Sequence, residues 1–276
     1  HVPLSDLSHL RGASPHIRNH ITTYLTSVVK QLLARFVDNP VEFRQLLDDT
    51  QSALSGSSVL HVLLQCTPFE SWSPSDLDVY VPLTAADRIL QYLTSHGYTV
   101  IAYPRLLSPD VMEYGSGIAA VIKLQGSMGE KIDVIISTRM SALYPITFFW
   151  GTPVMNWVKN GELGLAYPRA TLAGVGYINP DRAYHHKVLA CKDKYEARRF
   201  RLQEFDEHSP VHSSQKVGRA YCPQFIRHFK DKHCLTFRLT DAAWEAGQAT
   251  DLDVFPRLFP FWSFGQDTCW NGCAGA

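Results

Sequence analysis

Apolar residues recur at helical spacing between residues 16 and 50. Intervals of three and four residues place side chains on one face of a helix. Pro40 interrupts the pattern, and proline is favoured only in the first turn of a helix. We therefore predict one helix before Pro40 and a second over residues 41–54. The apolar positions of the first helix are Ile21, Tyr24, Leu25, Val28, Val29, Leu32, Leu33 and Phe36.

Helical and strand-like patterns alternate along the next segment. The spacing of apolar residues predicts helices over 57–66 and 85–96, and Gly97 ends the second of them. Short runs rich in β-branched and aromatic residues predict strands over 77–81 and 98–103. This alternation is typical of an α/β protein.

Two further strands are predicted over 118–124 and 131–137. The loop between them, Gln125-Gly126-Ser127-Met128-Gly129-Glu130, contains glycines that suit a tight reversal, so the strands should form a β-hairpin. A helix is predicted over 140–150. Residues 151–180 are interrupted by Gly and Pro too often for a specific assignment.

A second helical region begins at Asn179-Pro180-Asp181 and extends to about Glu207. We expect it to pack on the preceding part of the chain. A chain of 276 residues can form two modest domains, and we place them at 1–150, with the N-terminal helices, and at 151–276, a mostly helical lobe. The positions expected to face inward are His186, Leu189, Ala190, Tyr195 and Phe200.

Composition and charge narrow the class of function. Apolar residues make up 45% and charged residues 19% of the chain, which is ordinary for a globular protein. Lys plus Arg equals Asp plus Glu at 26 each, so no global field attracts long nucleic acid and a phosphate-bearing ligand has to be held locally. No apolar run approaches the roughly 20 residues that cross a bilayer, so we expect no membrane partner and an intracellular location, cytoplasmic or nuclear.

The six cysteines are scattered along the chain, unlike the dense framework of a small secreted protein. We expect most of them to be reduced. They are Cys66, Cys191, Cys222, Cys234, Cys269 and Cys273.

Two acidic residues mark the start of the strand predicted over 77–81. Asp76 and Asp78 are two positions apart, so their side chains project from one face, while Leu77 and Val79 project from the other. Neighbouring carboxylates repel each other and lose hydration unless a divalent cation neutralises them. The pattern predicts a site for Mg²⁺, or for Mn²⁺ in its place.

Two other segments extend this candidate site. If the strand over 131–137 lies beside the first, Asp133 completes a set of three carboxylates able to hold hard cations near an attacking hydroxyl. Leu54-Ser55-Gly56-Ser57-Ser58 is a small turn that runs into a helix, where backbone N–H groups and a serine hydroxyl can hold phosphate oxygens. Phosphate, metal and an in-line hydroxyl together indicate nucleotidyl transfer.

The order of these features, Gly56-Ser57 at a helix start, Asp76 and Asp78 on one strand and Asp133 on a later strand, resembles the nucleotidyltransferase superfamily related to polymerase beta. The resemblance implies an α/β (α+β) fold, in which helices flank a mixed β-sheet and a helical second lobe closes over the nucleotide. It also implies catalytic and metal-binding aspartates and a nucleotide-binding Gly-Ser turn.

The resemblance covers about residues 50–140, and one spacing departs from it. Gly56 and Asp76 are 20 positions apart (76 − 56), more than is usual in the family, which predicts an insertion around residues 67–74 that shapes the acceptor side. Later segments look like a set of uncharacterised fungal proteins with this domain, from which no activity carries over. Those segments are Val154-Met155-Asn156, Tyr167-Pro168-Arg169-Ala170-Thr171, Lys194-Tyr195 and Cys222-Pro223.

Each signal also has a structural interpretation. A second acid pair, Asp251 and Asp253, has no Gly-Ser helix start before it, and Pro256 ends any strand there, so we interpret it as a solvated turn. Asp133 is alternatively an acid that caps a strand end. Gly56 is alternatively a turn glycine, an interpretation compatible with close approach to a ligand because both need the missing side chain.

Cysteine and histidine residues of the C-terminal region suggest zinc, but the paired Cys-x2-Cys spacing of a zinc knuckle is absent and no metal is assigned there. They are Cys222, His228, His233 and Cys234, together with the pair Cys269 and Cys273 nearer the end.

Basic and aromatic residues of the second lobe have two interpretations each. The basic residues are candidates for phosphate contacts, but a solvated helix face is favoured. They are His185, His186, Lys187, Lys194, Arg198, Arg199 and Arg201. The aromatic residues are candidates for base stacking, but a role in the core is favoured. They are Trp150, Trp157, Phe255, Phe259, Phe261, Trp262 and Phe264.

The sequence thus predicts a Mg²⁺-dependent nucleotidyltransferase that moves a nucleoside monophosphate from a nucleoside triphosphate, such as ATP, to a hydroxyl acceptor. Asp133 would help to deprotonate that acceptor, which is a nucleic-acid end, a protein side chain or a small molecule. The alternative is a non-catalytic module of the same fold that binds a nucleotide or a protein. A third hypothesis, a zinc-stabilised nucleic-acid binder, depends on the Cys and His set.

Overall fold

The computed structural model describes residues 4–10, 14–102, 117–182, 186–204, 221–222, 225–239 and 260–264. The helices in these residues are α1 (Leu4–Leu10), α2 (Pro15–Leu33), α3 (Pro40–Asp49), α4 (Gly56–Leu63), α5 (Ala86–Ser95), α6 (Pro168–Leu172) and α7 (His186–Ala197). The strands are β1 (Ala53–Ser55), β2 (Leu77–Val81), β3 (Thr99–Ala102), β4 (Ile118–Gln125), β5 (Lys131–Ser137), β6 (Asn156–Lys159), β7 (Glu162–Leu165), β8 (Val175–Ile178), β9 (Arg201–Glu204), β10 (Arg227–His228), β11 (Leu235–Arg238) and β12 (Phe261–Trp262). Short 3₁₀ segments are Leu83–Ala85, Tyr144–Phe148, Thr152–Val154 and Pro180–Arg182.

Side-chain caps mark the starts of α2 and α3. The side-chain oxygens of Ser14 and Asn39 each accept a backbone N–H at 3.2 Å, and a proline follows each cap. The helix predicted over residues 41–54 corresponds to α3, which ends at Asp49 because residues 53–55 form β1. A three-residue strand is too short to be recognised by periodicity, and its neighbours in the sheet hold it in place.

Eight of the described strands form one mixed sheet in the order β11-β7-β6-β1-β2-β5-β4-β3. Neighbouring strands are antiparallel except β2 and β5, which run parallel. The prediction of a mixed sheet flanked by helices is therefore confirmed, and so is the hairpin of β4 and β5.

Alternate residues of the sheet enter two separate cores. On one face, Val79 and Val134 pack with apolar residues of α2, α3 and α5. On the other face, Tyr80 and Ile135 pack with aromatic residues from later in the chain. Asp78 and Asp133 lie on this second face, two positions before Tyr80 and Ile135, where the apolar cluster ends. The carboxylates thus lie at the edge of the part of this face that the aromatic cluster covers.

Helix α4 packs against two apolar clusters. This packing holds the first turn of the helix in position. Val59 belongs to the core beneath the sheet, whereas Leu60 packs with Tyr195 and Phe200 from the α7 region. Each of these side chains is at most 3% exposed, and burying one such group contributes about 1.5–3 kcal/mol. The expectation that the region after residue 179 packs on the preceding part is confirmed.

The helix predicted over residues 140–150 was wrong. Only Tyr144–Phe148 is helical there, as a 3₁₀ segment. Pro145 has no backbone N–H and therefore cannot continue an α-helix that begins at residue 140.

The long helix predicted up to Glu207 was also wrong in extent. Helix α7 ends at Ala197, Arg199 adopts a left-handed φ of 69°, and β9 then pairs in parallel with β8. Two of its expected inward positions, Leu189 and Ala190, are exposed, whereas Tyr195 and Phe200 are each 3% exposed. Hydrogen bonds to β8, a partner distant in sequence, replace those of a continued helix.

Strands from beyond residue 150 join the main sheet. Strand β6 lies beside β1, and β7 and β11 extend the sheet from there. The division into residues 1–150 and 151–276 stays a prediction. None of the described helices combines the length and the apolar character needed to cross a membrane.

Candidate metal centre

The parallel pairing of β2 and β5 brings three carboxylates together. Asp78 lies directly beside Asp133 in the register of the two strands, and Asp76 immediately precedes β2. One carboxylate oxygen from each residue lies within 4.8 Å of the others. Among the described residues, this is the group of three or more His, Cys, Asp and Glu side chains that is close enough to share an ion.

The surroundings of Asp78 destabilise the charged form of its carboxyl group. Burial raises its pKa to about 8, and the negative charges of Asp76 and Asp133 act in the same direction. The positive charges of Lys123 and Lys194 oppose them. A hard divalent cation favours oxygen ligands and would relieve this repulsion, so the donor set fits Mg²⁺.

Gly56 allows the start of α4 to approach Asp78. Its φ of +79° lies in the left-handed region, and a β-carbon at this position would lie 2.2 Å from the Oδ2 atom of Asp78. Ser57 follows in the first turn of α4 and is 6% exposed. The backbone N–H groups of a first helical turn lack partners within the helix, so they can hold an anion beside the carboxylates.

Asn156 holds this turn from β6. Its Nδ2 group donates to the carbonyl oxygens of Gly56 at 3.1 Å and of Pro153 at 3.3 Å, while Ser55 Oγ donates to the carbonyl of Asn156 at 2.6 Å. Asn156 is fully buried. Sequence analysis named it only as part of a resemblance, because 100 residues separate it from Gly56.

A second bond ties α4 to the acidic strand. Ser58 Oγ donates to the backbone carbonyl of Asp76, directly before β2. Since Ser58 is 1% exposed, this bond fixes the relative position of the helix start and the first carboxylate.

Lys123 is a neighbour of the site that sequence analysis did not single out. It stands on β4 directly opposite Asp133, and its Nζ forms an ion pair with Asp133 Oδ2. Its side chain is 51% exposed. The signal that could have found it is the hairpin register, which places residue 123 beside residue 133 once the loop over 126–130 is counted.

Two basic residues, Lys194 on α7 and Arg198 just after it, interact electrostatically with the carboxylates. The guanidinium carbon of Arg198 lies 3.6 Å from the ring centroid of Trp72 and 4.9 Å from that of Tyr195. Burial lowers the pKa of Arg198, while Tyr195 and the charge of Asp76 raise it. Arg198 is 9% exposed, so its interpretation as part of a solvated face was wrong, whereas Lys194 is exposed as that interpretation requires.

The C-terminal Cys and His set does not form a comparable group. Cys222, His228, His233 and Cys234 do not bring three ligand atoms within 4.8 Å of one another. Burial raises the pKa of Cys234 to about 12, which disfavours the thiolate that binds zinc. Among the described residues, Cys66, Cys191 and Cys234 form no disulfide bond.

The aromatic residues that the sequence assigns to the core differ in exposure. The core interpretation is confirmed for Trp157, Trp262 and Phe264, which are at most 5% exposed, whereas Phe261 is 57% exposed. Other candidate positions lie outside the described residues. These are His185, Asp251, Asp253, Phe255, Phe259, Cys269 and Cys273, together with the side chains of His186 and Lys187.

No family model and no curated protein matches the chain. Two solved structures are similar, a CCA-adding enzyme in complex with CTP and a CCA-adding enzyme in apo form I. The first has a TM-score of 0.43 and 15% sequence identity over 71% of this chain and 50% of that one. The second has a TM-score of 0.41 and 14% identity over 69% of this chain and 44% of that one, so the chain spans half or less of both.

Proposed function

We propose that this protein is a Mg²⁺-dependent nucleotidyltransferase that moves a nucleoside monophosphate from a nucleoside triphosphate to a hydroxyl acceptor. The observation that carries the proposal is the contact between Gly56 and Asp78. This contact brings the start of α4, to which we assign phosphate binding, next to the cluster of carboxylates. Nucleotidyl transfer needs these two elements, one for the phosphates and one for the metal, in direct contact.

The chain's own groups have distinct roles in this proposal. Asp76, Asp78 and Asp133 hold the metal, which when bound stabilises negative charge on the attacking and leaving oxygens. The backbone N–H groups at Gly56 and Ser57, with the Ser57 hydroxyl, hold the β- and γ-phosphates of the donor. Positioning then supplies most of the catalysis.

The proposed transfer step forms one bond to phosphorus and breaks another. The acceptor oxygen forms a bond to the α-phosphorus of the donor, and the bond from that phosphorus to the bridging oxygen breaks, so that pyrophosphate leaves toward the start of α4. The hydroxyl proton passes to a carboxylate oxygen of Asp133. The helix N-terminus favours the developing negative charge on the leaving pyrophosphate.

Lys194 is a further candidate contact for the triphosphate. It is exposed on α7, and its positive charge opposes the rise in the pKa of Asp78, so it is within electrostatic reach of this carboxylate. A lysine in that position can meet phosphate oxygens as a mobile point charge.

A thermal-shift screen with each of the four ribonucleoside triphosphates, with and without Mg²⁺, tests the proposal. The wild-type protein should melt at a higher temperature with at least one triphosphate and Mg²⁺, because a ligand that binds only the native state stabilises it. Asp78→Asn should lose that shift, whereas Asp87→Asn, an exposed acid of α5, should keep it.

Pyrophosphate release measured on the same variants separates catalysis from binding. Release by wild type that is abolished in Asp78→Asn supports transfer. A Mg²⁺-dependent shift without release would instead identify a non-catalytic nucleotide-binding module. The absence of any shift would overturn the proposed donor site.

A further inference from the structure

Four neighbouring strands carry one row of polar residues across the sheet. Ser55 on β1 lies beside Asp78 on β2, Asp78 lies beside Asp133 on β5, and Asp133 lies beside Lys123 on β4. Ser55 is also the residue before α4, so the proposed phosphate-binding turn begins at one end of the row. Lys123, which carries a positive charge, lies at the other end of the row.

The order of these residues separates a donor end of the site, at the start of α4, from an acceptor end at Lys123. Neighbouring strands are about 4.8 Å apart, so Lys123 starts about 14 Å, or three strands, from the turn that would hold the donor phosphates. In the proposed function, Asp133 receives the proton of the acceptor hydroxyl. Lys123 is therefore the next charged group beyond the point where that hydroxyl must lie.

Within the part of the chain that the structure describes, the face around Lys123 is polar and partly exposed. Lys131 lies on the same face of β5 as Asp133, two positions before it, and is exposed. Gln125, opposite Lys131 in the hairpin, is partly exposed. In the opposite direction along the strand, Ile135 is 5% exposed within an apolar cluster. An acceptor can thus approach from the lysine side of the carboxylates.

We infer that the acceptor is a hydroxyl compound with a phosphate group close to the hydroxyl, and that Lys123 binds this phosphate while Asp133 receives the hydroxyl. The inference rests on the proposed function and names the substrate class of the same site. The ammonium group of Lys123 already lies against the carboxylate that would meet the hydroxyl, so its reach matches a phosphate only a few atoms away.

The ion pair with Asp133 does not prevent this role. The Lys123 side chain is half exposed, and ion pairs of exposed lysines contribute little to stability. Its flexible stem lets the ammonium turn from Asp133 to a ligand when the carboxylate acquires another partner. The net charge of the chain is +0, so the phosphate is attracted by local cations rather than by a global field.

Calorimetric titration of the full chain, saturated with Mg²⁺ and a non-hydrolysable triphosphate analogue, tests the inference without turnover. The probes are glycerol 3-phosphate with glycerol, glucose 6-phosphate with glucose, and a short oligoribonucleotide with a free 3′-hydroxyl. We expect a phosphate-bearing probe to bind and its uncharged partner to bind at least about tenfold more weakly, the loss of one charge-assisted contact. The oligonucleotide distinguishes a nucleic-acid end from a small phosphate ester.

Three variants assign the effect to Lys123. Lys123→Gln should weaken binding of the phosphate probe about tenfold or more, Lys123→Arg should retain it, and Lys30→Gln, a change on the exposed surface of α2, should leave it unaltered. Failure of every phosphate-bearing probe to bind, or equal binding by Lys123→Gln and wild type, overturns the inference. Saturation with the triphosphate analogue is measured first, so loss of the donor site, which would overturn the proposed function, is recognised separately.

Discussion

A β-carbon on Gly56 would lie 2.2 Å from the Oδ2 atom of Asp78. Carbon and oxygen atoms that are not bonded do not approach so closely, so any other residue at position 56 would displace either the carboxylate or the start of α4. The φ of +79° at Gly56 is also unfavourable for residues with a β-carbon. Conformation and contact therefore both require glycine where the helix meets the acidic strand.

Gly56→Ala should lose the Mg²⁺-dependent response to triphosphate as well as stability. The left-handed backbone alone should cost about 1–2 kcal/mol in free energy of unfolding, and the clash adds displacement of Asp78. Urea unfolding and the thermal-shift screen measure the two effects. Gly97→Ala is the matched control, since Gly97 has a φ of +86° but no atom within 4 Å of its added β-carbon. A normal Mg²⁺ response in Gly56→Ala would contradict the role given to this contact.

Without divalent metal, the stability of the protein should fall as the pH rises from about 4 to about 8. Asp78 has a pKa of about 8 in the folded protein and about 4 in the unfolded chain, so the folded state binds the proton more tightly. Its contribution is complete below pH about 4 and is lost as the pH rises through the folded pKa. Urea unfolding in EDTA at a series of pH values measures this.

Asp78→Asn removes that titration and should make the free energy of unfolding less dependent on pH over the same range. Asp87→Asn, an exposed acid in the first turn of α5, should retain the wild-type slope. The same slope in all three proteins would show that Asp78 is not the group responsible.

Arg198 and Trp72 should be energetically coupled. The guanidinium carbon lies 3.6 Å from the Trp72 ring centroid, and this cation–π contact is largely shielded from water. A double-mutant cycle with Arg198→Met and Trp72→Leu should give a coupling of about 0.5–2 kcal/mol in urea unfolding. A cycle pairing Trp72→Leu with Arg199→Met, at an exposed neighbour, should give about zero. No coupling in the first cycle would refute the contact.

Asn156→Ala should destabilise the protein and weaken the Mg²⁺-dependent triphosphate response. The change leaves the carbonyls of Gly56 and Pro153 without the Nδ2 donor, at a cost of about 1–3 kcal/mol in free energy of unfolding. Asn19→Ala, on the exposed surface of α2, should change stability by no more than about 0.5 kcal/mol. A response to Mg²⁺ and triphosphate as large as in wild type would show that the turn does not depend on Asn156.

The predicted strands over 77–81 and 131–137 have the same bounds in the structure. Both strands can be recognised in the sequence as short apolar runs, because a central strand is buried on both faces and so carries apolar residues on both. The joint position of Asp76, Asp78 and Asp133 was conditional on the two strands being neighbours. The parallel register supplies that condition.

Arg198 shows the opposite case. A basic run at the end of a helix favours a solvated face, and only the contact with Trp72, 126 positions earlier (198 − 72), reveals that this arginine is shielded. Trp72 belongs to the long segment between α4 and β2, where the sequence predicted an insertion that shapes the acceptor side but gave no sign of a contact with Arg198. Cation–π packing between distant segments has no local pattern from which it could be inferred.

By itself, the sequence determined the local elements and the chemical types at the site: a glycine and serine where a helix starts, and acids two positions apart at the start of a strand. These follow from backbone preferences and from the period of side chains along helices and strands. Only the tertiary structure decided that Gly56 touches Asp78, that Asn156 holds the turn and that Lys123 faces Asp133. Those contacts depend on strand order and register, which are set by burial of the whole sheet rather than by neighbouring residues.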